Sequence, residues 1–399
     1  MKNKFGISKN VFILGLVSFF NDVASEMIYP LVPIFLTSVI GAPVAIVGFI
    51  EGVAESTASI LKVISGWLSD KWRKRKSFIF MGYSFSALSK ILLGLAFSWP
   101  WVFSARFIDR FGKGLRTPAR DALISESSDI SSRGKSFGFH RTFDTLGAVV
   151  GPIIALLSIH FLDNNFRMIF LLSFVPACIG IFLLFFFVKE KKTETNISSP
   201  PYLKLYNFGP SFKIFLLISL IFALGNSSNA FLILRAQSLG LPLTWIILTY
   251  ILFNLTYALL STPAGIISDK IGPKKVIFAG FLLFSAIYLF FGLADSSLFL
   301  WFLFPSYGMY MALTEGASKA YISILVPQEK LGTAFGIYQT TIGLCTFLAS
   351  LIAGVIWSYI GASAPFIFGS LMAIFSAFLF ITLEKRRNFS KYGVSNLID

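Results

Sequence analysis

Charged residues are scarce in this sequence. Asp, Glu, Lys and Arg make up only 13% of its 399 residues, where an ordinary soluble domain carries about 25%. This scarcity excludes a typical cytosolic enzyme, a disordered protein and a collagen-like fibre. Cysteine and histidine are equally rare, with two of each, and both cysteines, Cys178 and Cys345, lie inside apolar runs. We therefore expect no disulfide framework and no metal site built from Cys or His.

Apolar residues dominate instead. Hydrophobic residues account for 55% of the chain, the mean hydropathy is +0.76, and Phe alone occurs 46 times. Because a membrane-spanning helix needs about 20 apolar residues, this pattern predicts twelve spans. They cover 11–38, 44–68, 77–97, 100–125, 136–158, 166–188, 214–236, 243–267, 276–294, 298–325, 332–358 and 364–383. The expected fold is an all-α integral membrane protein, since lipid offers no hydrogen-bond partner to an unpaired backbone.

The first apolar run has one feature of a secretion signal, because three lysines precede it. It is nevertheless too long for the apolar region of a signal peptide, and it contains Asn21, Asp22 and Glu26. No small-residue cleavage site follows it. We therefore expect an uncleaved first span.

The basic residues lie mostly in short loops between the apolar runs. The net charge of +15 would suit nucleic-acid binding only if these charges shared one solvated face. If the N-terminus is cytoplasmic, nearly all loop cations fall on the cytoplasmic side, in clusters such as 71–76 and 385–391, as the positive-inside rule requires. We expect a multi-pass protein of the cell (inner) membrane, surrounded by the lipid bilayer, with both termini cytoplasmic and no nucleic-acid partner.

One polar segment, at 189–213, divides six predicted spans from six. We expect an N-terminal six-helix bundle at 1–188, a cytoplasmic linker at 189–213, and a C-terminal bundle with a short tail at 214–399. A short motif recurs in the two halves. Gly66, Asp70 and Lys71 close the second span, and the equivalent residues Gly265, Asp269 and Lys270 close the eighth. Six spans repeated in the same orientation are typical of transporters that bind substrate between their halves.

The repeated motif resembles the loop signature of the major facilitator superfamily of secondary transporters, and the resemblance extends over the whole chain. It implies twelve transmembrane helices in two six-helix repeats, and it requires no cofactor. In that family the aspartate pairs with a cation or a helix N-terminus and holds the cytoplasmic side shut. We therefore expect a gating role for Asp70 and Asp269. The first copy departs from the family pattern at Arg73, where a glycine is usual.

A second motif lies in the fifth span and comprises Gly138, Gly147, Gly151 and Pro152. It is similar to the antiporter motif of the drug:proton exporters in the same superfamily, although Ala155 and Leu156 replace its last two glycines. Small residues let helices approach closely, and proline loosens the helix. Ordinary helix packing is the alternative interpretation of these residues.

Ionisable residues inside a span are costly and indicate function by default. Most lie in the first half, where span four carries a stripe of charges spaced three and four residues apart. The acids of the first two spans are its expected partners. The candidate substrate and proton pathway comprises Asp22, Glu26, Glu55, Arg106, Asp109, Arg110, Lys113, Arg116, Arg120, Arg141, Asp144, Asn226, Asn229, Glu315 and Lys319. The alternative for each of these residues is a structural contact, such as the expected pair of Glu315 with Lys319.

These features predict a secondary transporter of a small anionic or amphipathic solute, coupled to protons and working as a monomer. The stripe has more cations than acids, so Arg106, Lys113 or Arg116 is expected to hold an anionic group. The glycine motif of the fifth span favours export, whereas the basic stripe favours uptake of an anionic metabolite or a metal-chelating carboxylate. A membrane sensor or a membrane enzyme, with His140 and Asp144 as its only catalytic candidates, is the alternative of another class. The sequence has no phosphate-binding glycine loop and no soluble segment long enough for a nucleotide-binding domain, so we expect that the chain is not an ATP-driven pump on its own.

Overall fold

The computed structural model describes residues 7–72, 74–128, 133–190, 208–326 and 331–392. Within these ranges every regular element is helical. Ten spans of helix are long and apolar enough to cross a membrane. Two further helices, Trp99–Glu126 and Leu300–Leu325, are of similar length but more polar. The described chain therefore confirms the predicted fold of twelve helical spans.

We number the spans 1 to 12 in chain order. The first six are Lys9–Val39, Val44–Trp72, Arg75–Gly94, Trp99–Glu126, Arg133–Phe161 and Phe166–Phe187. The last six are Pro210–Ser238, Leu243–Ile271, Pro273–Leu293, Leu300–Leu325, Leu331–Tyr359 and Ala364–Tyr392. Most bounds agree with the sequence within a few residues. Span 12 extends farther than predicted.

Consecutive spans cross the membrane in opposite directions. The start of each odd-numbered span and the end of each even-numbered span therefore lie at one face, which we call the N-face. The opposite surface is the far face. Most of the predicted linker, residues 191–207, lies outside the described part of the chain.

Spans 1 and 7 are broken helices. Span 1 comprises the helix Lys9–Ile28, a short turn of helix at Val32–Ile34 and a π-helical turn at Phe35–Val39. Pro30 and Pro33 lie at this break, and proline interrupts the hydrogen bonds of a helix. Span 7 comprises Pro210–Gly225 and Ala230–Ser238, where the sequence predicted one continuous run. The intervening Asn and Ser side chains compete for backbone hydrogen bonds and favour a helix end. The two breaks occupy equivalent positions in the two halves.

The interiors of the two halves differ in chemistry. The second half is aromatic: Phe222 stacks on Phe281 with ring centroids 4.2 Å apart, and Phe284 stacks on Tyr288 at 3.9 Å. The first half instead buries Lys, Arg, Asp and Glu side chains between spans 2, 3 and 4. Many of the phenylalanines thus form a core inside the second half and not only a lipid-facing surface.

The two halves meet where span 2 packs on span 11 and where span 5 packs on span 8. Toward the far face these contacts are close. The Ala45 N–H of span 2 donates to Ser358 Oγ of span 11 at 3.2 Å, and Gln237 Nε2 donates to Ser38 Oγ at 2.7 Å. Glycine is needed in span 2, since a Cβ at position 52 would lie 2.9 Å from the Phe347 carbonyl oxygen. The far face is therefore sealed.

Nearer the N-face, charged side chains at the boundary between the halves are exposed. Arg141 of span 5 and Glu315 of span 10 approach to 3.8 Å across the boundary, yet their side chains are 57% and 40% exposed. Mid-span charges with this exposure line a space between the halves. Because the far face is sealed, this central space opens toward the N-face.

Candidate functional site

The most buried ion pair of the first half joins spans 2 and 4. Arg106 donates from Nε to Glu51 Oε1 at 2.9 Å and from Nη2 to Glu51 Oε2 at 2.8 Å. Both side chains are at most 3% exposed. Such a two-bond fork fixes the geometry as well as the charge. Arg106 is therefore already occupied, and Glu51, which was not among the sequence candidates, is its partner.

A second buried cluster joins spans 3 and 4. Asp109 accepts hydrogen bonds from Lys90 Nζ at 3.0 Å and from Ser86 Oγ at 2.8 Å. Arg116 donates to the same hydroxyl at 2.7 Å and lies over the Tyr83 ring, 4.7 Å from its centroid. Asp109 and Arg116 thus act within a packed network. Lys90, a cation deep inside the apolar part of span 3, was the signal in the sequence for such a partner.

Two other cations of span 4 are paired less deeply. Arg110 contacts Glu55 of span 2 at 3.0 Å, and Glu55 is 34% exposed. Arg120 donates to Asp121 at 3.1 Å and to Ser18 Oγ at 3.0 Å. The acids of span 2 are therefore partners of the span 4 stripe, as the sequence predicted.

Two lysines at this level have no ion-pair partner among the described residues. These are Lys62 of span 2 and Lys113 of span 4, both half-buried. The acid that acts on them most strongly is Glu55, which Arg110 already holds. Lys62 was not among the candidates, although its span 2 packs against span 4, which carries the stripe.

The acids of span 1 do not form ion pairs with span 4, contrary to the expectation. Glu26 accepts a hydrogen bond of 2.9 Å from the Tyr250 hydroxyl of span 8, so its contact crosses between the halves. Asp22 accepts a long hydrogen bond of 3.5 Å from Asn21 Nδ2, its neighbour in the same helix. Asp144 itself lies 3.6 Å from His140 Nδ1.

A four-residue bridge connects the halves at the edge of the central space. Arg141 donates to the Tyr257 hydroxyl at 2.7 Å, and that hydroxyl donates to Glu315. Lys319 reaches the other oxygen of Glu315 at 3.2 Å, which confirms the predicted pair. The role of Arg141 was not predicted, because its partners lie in the other half of the chain.

The second half contains a cavity of about 250 Å³ between spans 7, 9, 10 and 11. Asn226 lines it and donates to the Tyr310 hydroxyl at 3.3 Å. The neighbouring Asn229 accepts from the Tyr307 hydroxyl at 2.9 Å. Both predicted asparagines therefore orient tyrosines at this cavity, whose mouth carries Glu315 and Lys319.

The glycine motif of span 5 lies directly on the acidic face of span 1. A Cβ at Gly147 would lie 2.9 Å from the Cβ of Asp22, and one at Gly151 would lie 2.8 Å from the Cβ of Glu26. Pro152 lies inside the helix just after them. The surroundings of Gly138 lie outside what the structure describes. The motif therefore packs span 5 against the two carboxylates of span 1.

The described parts of the gating motif differ between its two copies. Gly66 faces Pro118 of span 4, with 3.3 Å to the proline Cβ from a built Cβ, and Lys71 lies 5.0 Å over the Trp67 ring. A Cβ built at Gly265 would have no neighbour within 4 Å, and the side chain of Lys270 is exposed. The side chains of Asp70 and Asp269, as well as Arg73, lie outside the described residues. Their gating role stays a prediction.

Comparison with known proteins agrees with this architecture. The family model of the Major Facilitator Superfamily matches residues 14–223 and again residues 214–395. An uncharacterized MFS-type transporter of Methanocaldococcus jannaschii is 42% identical over 381 residues, covering 94% of this chain and 95% of that protein. An uncharacterized MFS-type transporter of Bacillus subtilis is 25% identical, covering 94% and 98%.

Solved structures share the fold at low sequence identity. The nucleoside transporter NupG superposes with a TM-score of 0.78 at 14% identity, covering 94% of this chain and 99% of that one. A POT family transporter crystallised with 5-aminolevulinic acid gives a TM-score of 0.82 at 14% identity, covering 96% and 98%. At this identity the similarity concerns the fold alone.

Proposed function

This chain belongs to the Major Facilitator Superfamily, and from that premise we propose that it carries a small organic anion across the cell membrane by alternating access. It is a multi-pass membrane protein and a secondary transporter of the MFS type. In the proposed cycle the anion enters the central space while the far face is sealed. The space then closes toward the N-face and opens at the far face.

The observation that carries the anion proposal is the pair of unmatched lysines, Lys62 and Lys113. The neighbouring arginines are engaged elsewhere: Arg106 and Arg110 form ion pairs with Glu51 and Glu55. Arg116 is held in the packed network of span 3, by a hydrogen bond to Ser86 and a contact over the Tyr83 ring. An unpaired cation in surroundings of low dielectric attracts an anion strongly. The two lysines supply that attraction without any need to break an existing ion pair.

Transport of membrane-impermeant anions by proteoliposomes tests this proposal. The variants Lys62→Gln and Lys113→Gln should each lower anion flux several-fold, because each removes one attractive charge. Lys9→Gln is the matched control, since Lys9 is exposed at the N-face end of span 1 and its loss should change little. Preferential transport of lipophilic cations, unaffected by the two variants, would overturn the proposal.

We also propose that transport is coupled to protons through Glu26, with Asp22 beside it. Glu26 has no described ion-pair partner, and its hydrogen bond to Tyr250 joins the two halves. A carboxylate whose contact crosses the moving boundary can hold a proton in one state and release it in the other. Glu55 is less suited because Arg110 holds it in an ion pair.

Export is the direction we propose, with the drug:proton exporters as the nearest branch. The support is the span 5 motif, whose Gly147 and Gly151 fit against Asp22 and Glu26. Uptake of an anionic metabolite or a metal-chelating carboxylate is the alternative that the cations favour. Opposite pH gradients imposed on vesicles of known orientation separate the two, because export requires protons to enter the cell as the anion leaves.

We further propose that the N-face is cytoplasmic and that the protein works as a monomer in the inner membrane. Lys and Arg are concentrated in the N-face loops, and this supports the orientation because cytoplasmic loops carry an excess of these residues. A Ser199→Cys variant should react with an impermeant thiol reagent only after the cells are opened. Labelling of intact cells would reverse the orientation.

A further inference from the structure

The cavity in the second half is separate from the unmatched lysines and differs from them in chemistry. Its volume is about 250 Å³, just below the roughly 300–1,000 Å³ of pockets that hold drug-sized ligands. Rings from four spans form its walls, including Phe222, Phe281, Tyr310 and Tyr338. It can therefore hold one small ring system, either a whole ligand or part of one.

The aromatic walls of this cavity are fixed by contacts with one another and with a ring behind them. Phe222 stacks on Phe281 with an interplanar angle of 14°. Tyr338 lies parallel to Phe215, at 3° and 5.9 Å. Rigid flat walls favour a flat guest, because aromatic rings gain from offset or edge-on stacking beyond the area that they bury.

Polar groups lie among these rings at several points. Asn226, Gln339 and Thr346 line the cavity together with the tyrosines. An alkyl chain in this space would leave such groups without partners, which is costly in a buried site. A ring that carries polar substituents satisfies both parts of the lining.

The charges at the mouth of the cavity are already matched. Glu315 accepts from Tyr257 and Lys319 and lies 3.8 Å from Arg141. No unpaired carboxylate among the described lining residues is left to attract an ammonium group, although aromatic walls alone can bind one. The guest expected inside the cavity is therefore an uncharged ring.

A chain of aromatic contacts runs from the boundary between the halves to the cavity wall. Glu26 of span 1 accepts a hydrogen bond from the hydroxyl of Tyr250. Tyr250 contacts Phe253, and Phe253 contacts Tyr307 of the cavity wall, each with ring centroids 5.5 Å apart. The aromatic surface therefore continues from the cavity to the boundary with the first half.

We propose that the transported solute is an aromatic anion, whose polar-substituted ring is bound by the cavity of the second half and whose charged group is attracted into the central space by Lys62 and Lys113 of the first. This assignment rests on the proposed anion transport and narrows its substrate class. Each half then recognises one property of the solute, the second half its ring and the first half its charge.

The test compares benzenesulfonate with cyclohexanesulfonate, because both stay ionised and neither crosses a bilayer unaided. Proteoliposomes with the full-length protein should transport the aromatic compound with a KM about two- to tenfold lower, the range expected for one ring-stacking contact. Phe335→Leu, which removes a lining ring, should raise the KM for benzenesulfonate and leave that for cyclohexanesulfonate unchanged. Phe290→Leu is the matched control, because Phe290 lies in the same half and is 59% exposed.

The outcomes separate the two proposals. Equal KM values for the two sulfonates, or equal effects of the two Phe→Leu variants, would overturn the aromatic assignment and leave anion transport standing. Transport of benzyltrimethylammonium in preference to both sulfonates, with no sensitivity to Lys113→Gln, would overturn both. Ligand-induced stabilisation of the detergent-solubilised protein gives a second readout, since a ligand stabilises the state that it binds.

Discussion

At the scale of single residues, the ion pairs of span 4 differ chiefly in burial. Glu51 is 2% exposed and holds Arg106 by two bonds, whereas Glu55 is 34% exposed. Glu51→Gln should lower the free energy of unfolding by about 3–5 kcal/mol, because it leaves a buried guanidinium without its counter-charge. Glu55→Gln should cost far less. Thermal unfolding of both variants in the same detergent measures the difference.

A third variant shows whether the charge causes this loss. Replacing both partners, Glu51→Leu with Arg106→Met, removes the two buried charges together and should restore much of the stability. Equal losses in Glu51→Gln and Glu55→Gln would show that burial does not decide the strength of these pairs.

The proposed coupling acid makes a separate prediction at this scale. Glu26→Gln keeps an oxygen that can accept from Tyr250 but no longer titrates. It should abolish flux driven by a pH gradient while exchange of the anion across the membrane persists. Asp22→Asn should weaken the same response, and Glu55→Gln is the comparison because Arg110 already holds that acid. An unchanged pH dependence in all three variants would remove the proposed proton coupling.

Helical spacing identified the stripe on span 4 and the pair of Glu315 with Lys319, because both are properties of one helix. It did not identify which neighbouring helix faces the stripe. The acids of spans 1 and 2 have the same four-residue spacing, yet only those of span 2 form the ion pairs. Which acids pair with the stripe depends on how the helices are arranged around each other. The spacing of residues along one helix carries no information about that arrangement.

At the scale of helices, close glycine contacts decide which spans pack together. A Cβ at Gly151 would lie 2.7 Å from the Val23 carbonyl, whereas one at Gly316 would meet nothing within 4 Å. Gly151→Ala should therefore destabilise the protein by about 1–3 kcal/mol through overpacking. Gly316→Ala should stabilise it by up to about 1 kcal/mol through helix propensity. Thermal unfolding measures both changes in stability, a loss for Gly151→Ala and a gain for Gly316→Ala. A change of the same sign in both variants would contradict the packing argument.

The gating motif joins neighbouring spans, and its prediction belongs at this scale too. Asp70→Asn and Asp269→Asn should each reduce transport without reducing the amount of protein in the membrane. The first should have the larger effect, because more cations follow Asp70 in the sequence. Flux per inserted molecule is the quantity to compare, and wild-type rates in both variants would exclude the latch.

Apolar length predicted the spans well but did not reveal the break in span 7. Prolines marked the bend of span 1, whereas residues 226–229 carry only Asn and Ser. Such residues occur inside membrane helices as well as at their ends. Their effect here is to end one helix at Gly225 and begin another at Ala230, beside the aromatic cavity.

At the scale of the whole molecule, the sequence predicted two six-span halves but not the state in which they are found. The internal repeat and the loop charges are the same in every conformation. Sealing at the far face rests on contacts between distant segments, such as Ala45 with Ser358 and Ser38 with Gln237. A transporter that alternates between states must adopt more than one set of such contacts, so no single set follows from the sequence.

Reversible cross-linking tests whether the far face must open for transport. The paired variant Ser38→Cys with Gln237→Cys, made in a background without Cys178 and Cys345, joins spans 1 and 7 at a contact of 2.7 Å. A short bifunctional thiol reagent should stop transport, because the halves can no longer separate at that face, and reduction should restore it. Asn10→Cys with Ser127→Cys is the matched control, since that 3.2 Å contact joins spans 1 and 4 of the same half. Its cross-link should leave the rate unchanged, because alternating access moves the halves relative to each other and not the helices within one half. Full transport by the first cross-linked pair would exclude separation of the halves at the far face.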